Sequence, residues 1–363
     1  MSRVALPDFP WDSLAEVKAT ASAHPGGVVD LSIGTPVDPV PADIRDALAS
    51  VSDIPGYPTT HGIPALRAAA IAALGRRHGV TGLEPDAVLP TIGSKEAVAW
   101  LPRLLGFGAG DLVVIPELAY PTYEVGALLA GASILRSDGL TALGPQKPAM
   151  IWLNSPSNPT GKVLPVEHLR KVVEWARERD VVVVSDECYL ALGWETEPLS
   201  VLHPDVCDGR TDGLIAVHSL SKSANLASYR AGFLTGDPRL IAQLLEIRKH
   251  AGMIVPRPVQ EAMVTALTDD EALTAQRERY DRRRLALRKA LQDNGFRIDH
   301  SEAGLYLWAT RDEDAQTTLG WLADRGILVA PGTFYGPTGG KHVRVALTAT
   351  DERVDAAVQR LTQ

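Results

Sequence analysis

From residue 87 onward, short continuous apolar runs alternate with longer amphipathic stretches. The runs are Ala87–Thr91, Leu112–Ile115, Ser133–Leu135, Met150–Leu153, Val181–Val184 and Leu214–Val217, most of them bounded by Gly, Pro or Asp. Apolar, β-branched runs of this length predict strands covered on both faces, as in a mostly parallel sheet. Between them, Gly93-Ser94 reads as a turn, and Lys95–Leu105 and residues 165–178 read as helices. The alternation predicts a doubly wound α/β architecture.

The flanks read differently. The proline-rich first residues predict an arm more than a strand or helix, and Leu31–Pro36 predicts an extended piece entering a loop that ends at Pro41. Helices are predicted over 42–50 and from Pro64 to Arg77, separated by a turn-rich loop at Gly56–Gly62. Asp237-Pro238 has the cap-then-proline form of a helix start, and that helix should reach His250. Gly252 and prolines 256 and 258 predict a hinge. Beyond it come a charged helix over 270–293, strands near 305–309, 327–330 and His342–Leu347, and a helix from Asp351. The expected division is an N-terminal arm and part of a small domain (1–41), a large domain (42–252) and a small α+β domain (253–363).

Composition narrows the function. A chain of 363 residues with 45% hydrophobic and 22% charged residues is that of an ordinary globular protein. A net charge of −8 argues against a nucleic-acid partner. No apolar run approaches the ~20 residues of a membrane helix, and the N-terminus lacks a signal peptide's apolar core, so a cytoplasmic location is expected. Cys188 and Cys207 lack metal-type spacing, so neither a disulfide framework nor a metal site is expected. Gly106–Gly110 lacks the third glycine of a dinucleotide fingerprint, and Gly339–His342 lacks the upstream glycine and hydroxyl of a P-loop.

Candidate chemistry centres on His218-Ser219-Leu220-Ser221-Lys222-Ser223, running on to Tyr229-Arg230-Ala231-Gly232. Lys222 falls in the turn after an apolar strand, where ligands bind in open α/β sheets. Its amine could form a Schiff base with an aldehyde cofactor, with Ser219, Ser221 and Arg230 around a phosphate. Asp186 ends another strand, where a carboxylate could pair with a protonated pyridine nitrogen; alone it reads equally as a turn or cap residue. Tyr189, one turn on, and Asn158 in Asn154–Gly161 could meet a ring hydroxyl. Gly93-Ser94-Lys95 sits at a strand-to-helix junction suited to an anion. Tyr120 in Leu118–Tyr123 could stack on a flat heterocycle.

These strings together resemble the fold-type I, class I/II aminotransferases that use pyridoxal 5′-phosphate. The motifs are G-T-P at 34–36, Tyr57, G-S-K, Y-P-T-Y, N-P-T-G, D-E-C-Y, S-L-S-K and a late arginine, Arg344. The resemblance implies a large domain on a mostly parallel sheet with a smaller α+β domain. It makes Lys222 the lysine that holds the cofactor's aldehyde, Asp186 the pyridine partner and Asn158 and Tyr189 the ring-hydroxyl donors. Tyr120 would stack, while Ser94, Lys95, Ser219 and Arg230 would hold the phosphate. Arg344 would clamp the substrate α-carboxylate, assisted by the backbone at Gly34. Tyr57 would reach a phosphate across the interface of a homodimer with composite sites.

Ping-pong exchange between an amino acid and a 2-oxo acid follows from that resemblance. Pro156–Leu164 and Ser219–Gly232 most resemble succinyldiaminopimelate aminotransferases of actinobacteria. This similarity implies N-succinyl-LL-2,6-diaminopimelate with 2-oxoglutarate and glutamate, in diaminopimelate and lysine biosynthesis. Arg248, Lys249 and Arg257 are candidates for the distal carboxylate, or else surface charges. Other readings are an aminotransferase for aspartate, aromatic substrates or kynurenine, a C–S β-lyase, and a cofactor-binding regulator without turnover.

Overall fold

The computed structural model describes residues 5–362; residues 1–4, at the head of the expected arm, and residue 363 lie outside the described residues. A 3-10 turn, Pro10–Leu14, leads into α1 (Ala15–Ser22), followed by β1 (Val29–Asp30), α2 (Ala42–Ser50) and α3 (Pro64–His78). The first segment is therefore helical where an arm was expected. Pro10 opens the turn, where its missing N–H is tolerated. Leu14 is buried in the small domain's core, and Ala21 packs with Ala323 and Leu328.

Seven strands form the large sheet: β2 (Val88–Ile92), β3 (Leu112–Ile115), β4 (Ser133–Arg136), β5 (Met150–Asn154), β6 (Val182–Asp186), β7 (Leu214–Ser219) and β8 (Ala231–Gly236). Their order is β2-β8-β7-β6-β5-β3-β4, and only β8 runs against its neighbours. Successive side chains on these strands serve two different cores. Val113, Ile115, Trp152, Val184 and Ile215 pack with α4 (Gly93–Leu104), α5 (Thr122–Ala130) and α8 (Pro238–Ala251) through residues such as Val98, Tyr123 and Ile241. Val114, Ile151, Leu153, Val183 and Ala216 pack with α3, α6 (Val166–Arg177) and α9 (Arg257–Thr268) through Leu66, Leu169 and Met263. Burial on both faces is why the runs lack polar alternation. Each fully buried Val, Leu or Ile contributes about 1.5–3 kcal/mol.

Helix α9 departs from the expected division of the chain. Its Ala262, Met263, Ala266 and Leu267 join the large-sheet core with Leu66 and Ile44, so prolines 256 and 258 open another helix of that layer. We place the passage between domains at Asp269, the N-cap of α10 (Asp270–Asp293), rather than after residue 252. The smaller layer holds β9 (Arg297–Asp299), β10 (Tyr306–Thr310), β11 (Ile327–Leu328), β12 (Ala330–Pro331) and β13 (Val343–Ala346). Four of these form an antiparallel sheet, β12-β13-β10-β9, while β11 pairs in parallel with β1 and so ties the N-terminal segment to this domain. α10, α11 (Ala315–Asp324) and α12 (Asp351–Leu361) cover it. No helix among the described residues is long and apolar enough to cross a membrane.

Candidate active site

The C-terminal ends of β6 and β7 and the segment after β5 border a cavity of ≈ 320 Å³, and every residue expected around the cofactor or the α-carboxylate lines it except Tyr57. Tyr57 is 99% exposed, outside its own chain's cavity.

Ser219 closes β7, and its Oγ accepts the Ser221 N–H at 3.1 Å, tightening the turn that carries Lys222. The Lys222 carbonyl accepts from the Tyr280 hydroxyl at 3.3 Å. Burial pulls the Lys222 amine below its usual pKa; the Tyr306 and Cys188 side chains oppose this. Arg230 sits at φ 57, in the left-handed region, and its Nη1 donates to the Ala227 carbonyl at 2.6 Å. Its guanidinium lies across Gly93, where an added Cβ would stand 2.2 Å from Nη2. Gly93, itself at φ +71, is therefore sterically required. Helix α4 begins at Gly93, two residues earlier than expected, so the Gly93–Ser94 backbone forms its first turn. Free amides at that turn and the adjacent guanidinium make an anion seat. Gly232 of β8 holds the two parts together, since a Cβ there would stand 3.0 Å from both the Ser94 nitrogen and the His218 carbonyl oxygen. Lys95 is exposed at the cavity's border, its Nζ 5.5 Å from the centroid of the Phe9 ring.

Asp186 ends β6 and is buried. Tyr123 donates its O–H to Oδ2 at 2.8 Å, and the Cys188 N–H donates to Oδ1 at 3.2 Å. Burial raises the Asp186 pKa, and these donors act in the opposite sense. Tyr123 is held in turn by stacking on Trp152, with centroids 4.6 Å apart. It was not singled out from sequence, though its place three residues after Tyr120 on the first turn of α5 was a usable signal. The Tyr120 ring meets it edge-on at 5.7 Å, and burial pushes the Tyr120 hydroxyl up to about 12. The Tyr189 and Tyr306 hydroxyls are 3.0 Å apart.

Arg344 projects from β13 and is 2% exposed. Its Nη1 donates to Asn158 Oδ1 at 2.8 Å and its Nη2 to the Ser32 carbonyl at 2.7 Å. The guanidinium stands 3.9 Å from the Tyr306 ring centroid and 4.9 Å from that of Tyr335. Its Nε is buried without a partner among the described residues. Asn158 is placed by Asn154, whose Oδ1 accepts the Asn158 N–H at 2.8 Å and whose Nδ2 donates to the Asp186 carbonyl at 3.0 Å. At Gly34 a Cβ would meet the Tyr306 hydroxyl at 2.2 Å. Tyr306 thus touches Tyr189, Gly34 and Arg344, yet it lies inside an apolar strand with no local motif to mark it.

The cations expected at the hinge lie elsewhere. Arg248 is fully buried and makes a bidentate pair with Glu96, at 2.8 and 3.1 Å. Lys249 pairs with Glu246 at 2.6 Å, and Arg257 pairs with Glu261. None of the three borders the cavity. Instead, Phe9 and Trp11 reach over it, with Phe9 5.5 Å from Trp11 and Trp11 5.4 Å from Phe334.

Residues 26–361 match the aminotransferase class I and II family. The chain is 66% identical over 358 residues to a probable aminotransferase of Mycobacterium tuberculosis, covering 99% of this chain and 86% of that protein. It is 57% identical over 357 residues to the 4-dedimethylamino-4-oxo-anhydrotetracycline transaminase OxyQ of Streptomyces rimosus, covering 98% and 99%. Among solved structures, a probable N-succinyldiaminopimelate aminotransferase from Thermus thermophilus superposes with a TM-score of 0.86 at 30% identity, covering 97% of this chain and 99% of that one. The chain belongs to the aminotransferase class I and II family, whose members use pyridoxal 5′-phosphate. The donor set fits that cofactor: an anion seat at Gly93–Ser94 and Arg230, a buried carboxylate at Asp186, and an amine of depressed pKa at Lys222.

Proposed function

We propose that this aminotransferase exchanges an amino group between an amino acid and a 2-oxo acid by a ping-pong mechanism, with N-succinyl-LL-2,6-diaminopimelate and 2-oxoglutarate/glutamate as the pair. The observation that carries transamination is the convergence of Lys222, Asp186 and Arg344 on one cavity. The bound cofactor supplies an aldehyde and an electron sink for the charge left when the substrate's Cα–H bond breaks. Ser94, Lys95, Ser219, Ser221 and Arg230 would hold its phosphate, and Asp186 its pyridine nitrogen. Tyr189 and the Asn158 Nδ2, which has no partner among the described residues, would hold its ring hydroxyl. Tyr120 would cover its face. Arg344 would present a planar fork to the α-carboxylate, a geometry that suits arginine better than lysine. Lys222, with its amine biased toward the free base, takes the Cα proton and returns it. Phe9 and Trp11 exclude water above these groups.

The substrate reading rests on the Pro156–Leu164 and Ser219–Gly232 strings and on the name of the Thermus thermophilus relative. A second reading, a bulky cyclic ketone or aromatic side chain, is favoured by the aromatic group Phe9, Trp11 and Phe334 and by the name of the Streptomyces rimosus relative. The proposal includes a cytoplasmic homodimer. The fully exposed Tyr57 supports composite sites, and both cysteines being free thiols accords with a reducing compartment.

A half-reaction tests the reading. N-succinyl-LL-2,6-diaminopimelate is added to the cofactor-loaded enzyme without any 2-oxo acid, and the cofactor's visible absorption is followed. Loss of the band supports substrate and chemistry together. A response to glutamate alone keeps the aminotransferase and overturns the succinyl substrate. Pyruvate release from cystathionine, with no transamination, would instead identify a β-lyase.

A further inference from the structure

A second cavity, of ≈ 400 Å³, shares a wall with the catalytic one. The shared wall is the end of β5 and the segment after it: Asn154, Ser157 and Thr160 border the second cavity, while Asn158 borders the first. Val114, Ile151 and Leu153 from the sheet face, Val172 from α6, and Leu140 and Leu143 from a 3-10 turn make the interior apolar. Such a lining offers water few partners, and the volume falls within the roughly 300–1,000 Å³ of small-molecule sites.

The polar groups are Lys162, His168, His300 and Asp138, together with small hydroxyl residues. Lys162 is exposed, and its side chain forms no ion pair or hydrogen bond among the described residues; nor does that of His168. His300 stands 3.8 Å from Glu302. Two carboxylates oppose them: Glu302, whose Oε2 accepts the Val163 N–H at 3.0 Å, and Asp138, whose Oδ1 accepts the Glu117 N–H at 2.9 Å. Pro165 and His168 also bring the N-terminal turn of α6 to the rim, adding partial positive charge.

We propose that this cavity binds a small amphipathic anion, an apolar body bearing one carboxylate, and that its occupancy is felt at the catalytic cavity through the Asn154–Asn158 segment. The apolar body would lie against Val114, Ile151 and Leu153, with the carboxylate at Lys162 and His168. Coupling follows from Asn154, which borders this cavity while bonding the Asn158 amide and the Asp186 carbonyl. Asn158 in turn bonds Arg344. A ligand that displaces or stiffens this segment therefore acts on the carboxylate clamp.

Calorimetry with 4-phenylbutyrate tests the site. Cofactor-loaded Arg344→Ala enzyme is used so that the catalytic clamp cannot hold the probe. The expected result is one equivalent bound. Adding Leu143→Trp, which fills the interior, should abolish that binding. Adding Lys162→Glu, on an exposed side chain that leaves the fold intact, should weaken it about tenfold. The cationic analogue 4-phenylbutylamine should not bind. No binding to Arg344→Ala, undiminished binding to the Lys162→Glu combination, or equal binding of the amine would each overturn the site. For the coupling, Lys162→Glu in an otherwise native enzyme should keep basal turnover and lose part of the KM shift that 4-phenylbutyrate produces. Identical shifts with and without that substitution would overturn the coupling.

Discussion

Arg344 and Asn158, 186 residues apart in the chain, meet through a 2.8 Å hydrogen bond between Nη1 and Oδ1. The other guanidinium nitrogen holds the Ser32 carbonyl, so Arg344 is oriented before any substrate arrives. Pre-ordering of this kind reduces the entropy lost on binding.

Arg344→Lys should therefore lower kcat/KM for amino acid substrates by roughly two to three orders of magnitude, because an ammonium cannot replace both fork contacts. Asn158→Ala should produce a smaller loss. Steady-state kinetics decide it, and an unchanged value for Arg344→Lys would assign the carboxylate to another residue.

Lys222→Ala should retain the cofactor only non-covalently and lose turnover by at least about a thousandfold. Mass spectrometry after borohydride reduction should find cofactor mass on the native chain and none on the variant. Near-native turnover would remove Lys222 from the mechanism.

Tyr123→Phe withdraws one of the two donors that oppose the effect of burial on Asp186. The carboxyl pKa should rise further. In the proposed mechanism Asp186 acts as the ionised carboxylate, so activity is present above its pKa and lost below it, and the acid limb of kcat/KM moves to higher pH. On that limb the variant should be slower by roughly an order of magnitude. A superimposable pH profile would mean that Tyr123 does not tune Asp186.

Glu187, beside Asp186 on the opposite strand face, is fully buried; its pKa is pushed up to about 7 by that burial, from an ordinary 4.5. Burial also brings His218 down to about 3, so the two groups, 3.9 Å apart, are not an ion pair below pH 7. As pH rises from 4.5, the unfolded chain ionises this carboxyl while the folded one keeps its proton. Stability linked to the group is therefore present below 4.5 and lost as pH rises through 7. The offset corresponds to roughly 3 kcal/mol. Urea midpoints at about pH 5 and about pH 8 should show Glu187→Gln gaining on the native enzyme at the higher pH. An equal gap at both would contradict the assignment.

Residues at strand ends were legible because their surroundings are local. Lys222, Asp186 and Asn158 each follow an apolar run, and the turn that presents them is written in the next few residues. Arg344 was legible only through its resemblance to a family pattern. Tyr123 and Tyr306 were not, since their roles depend on partners 63 and 117 residues away. The same distance problem misplaced Arg248: nothing near it in sequence announces Glu96, 152 residues earlier. β8 escaped notice because Ala231–Gly236 carries glycine near each end and only Phe233 and Leu234 are large apolar residues. α1 was hidden by the prolines before it, and its burial comes from the far end of the chain.

β8 has one more consequence. Lying between β2 and β7, with Gly232 pressed against both the Ser94 amide and the His218 carbonyl, it fastens the start of α4 to the lysine turn. The groups proposed to surround phosphate, pyridine and aldehyde thus belong to one block built on a single sheet. The proposed carboxylate clamp is drawn from two blocks, with Arg344 and Ser32 on one and Asn158 on the other. Parting the blocks would unfasten a departing 2-oxo acid and leave the coenzyme seated. An enzyme that must carry an amino group from one visitor to the next without losing its carrier needs that asymmetry of grip.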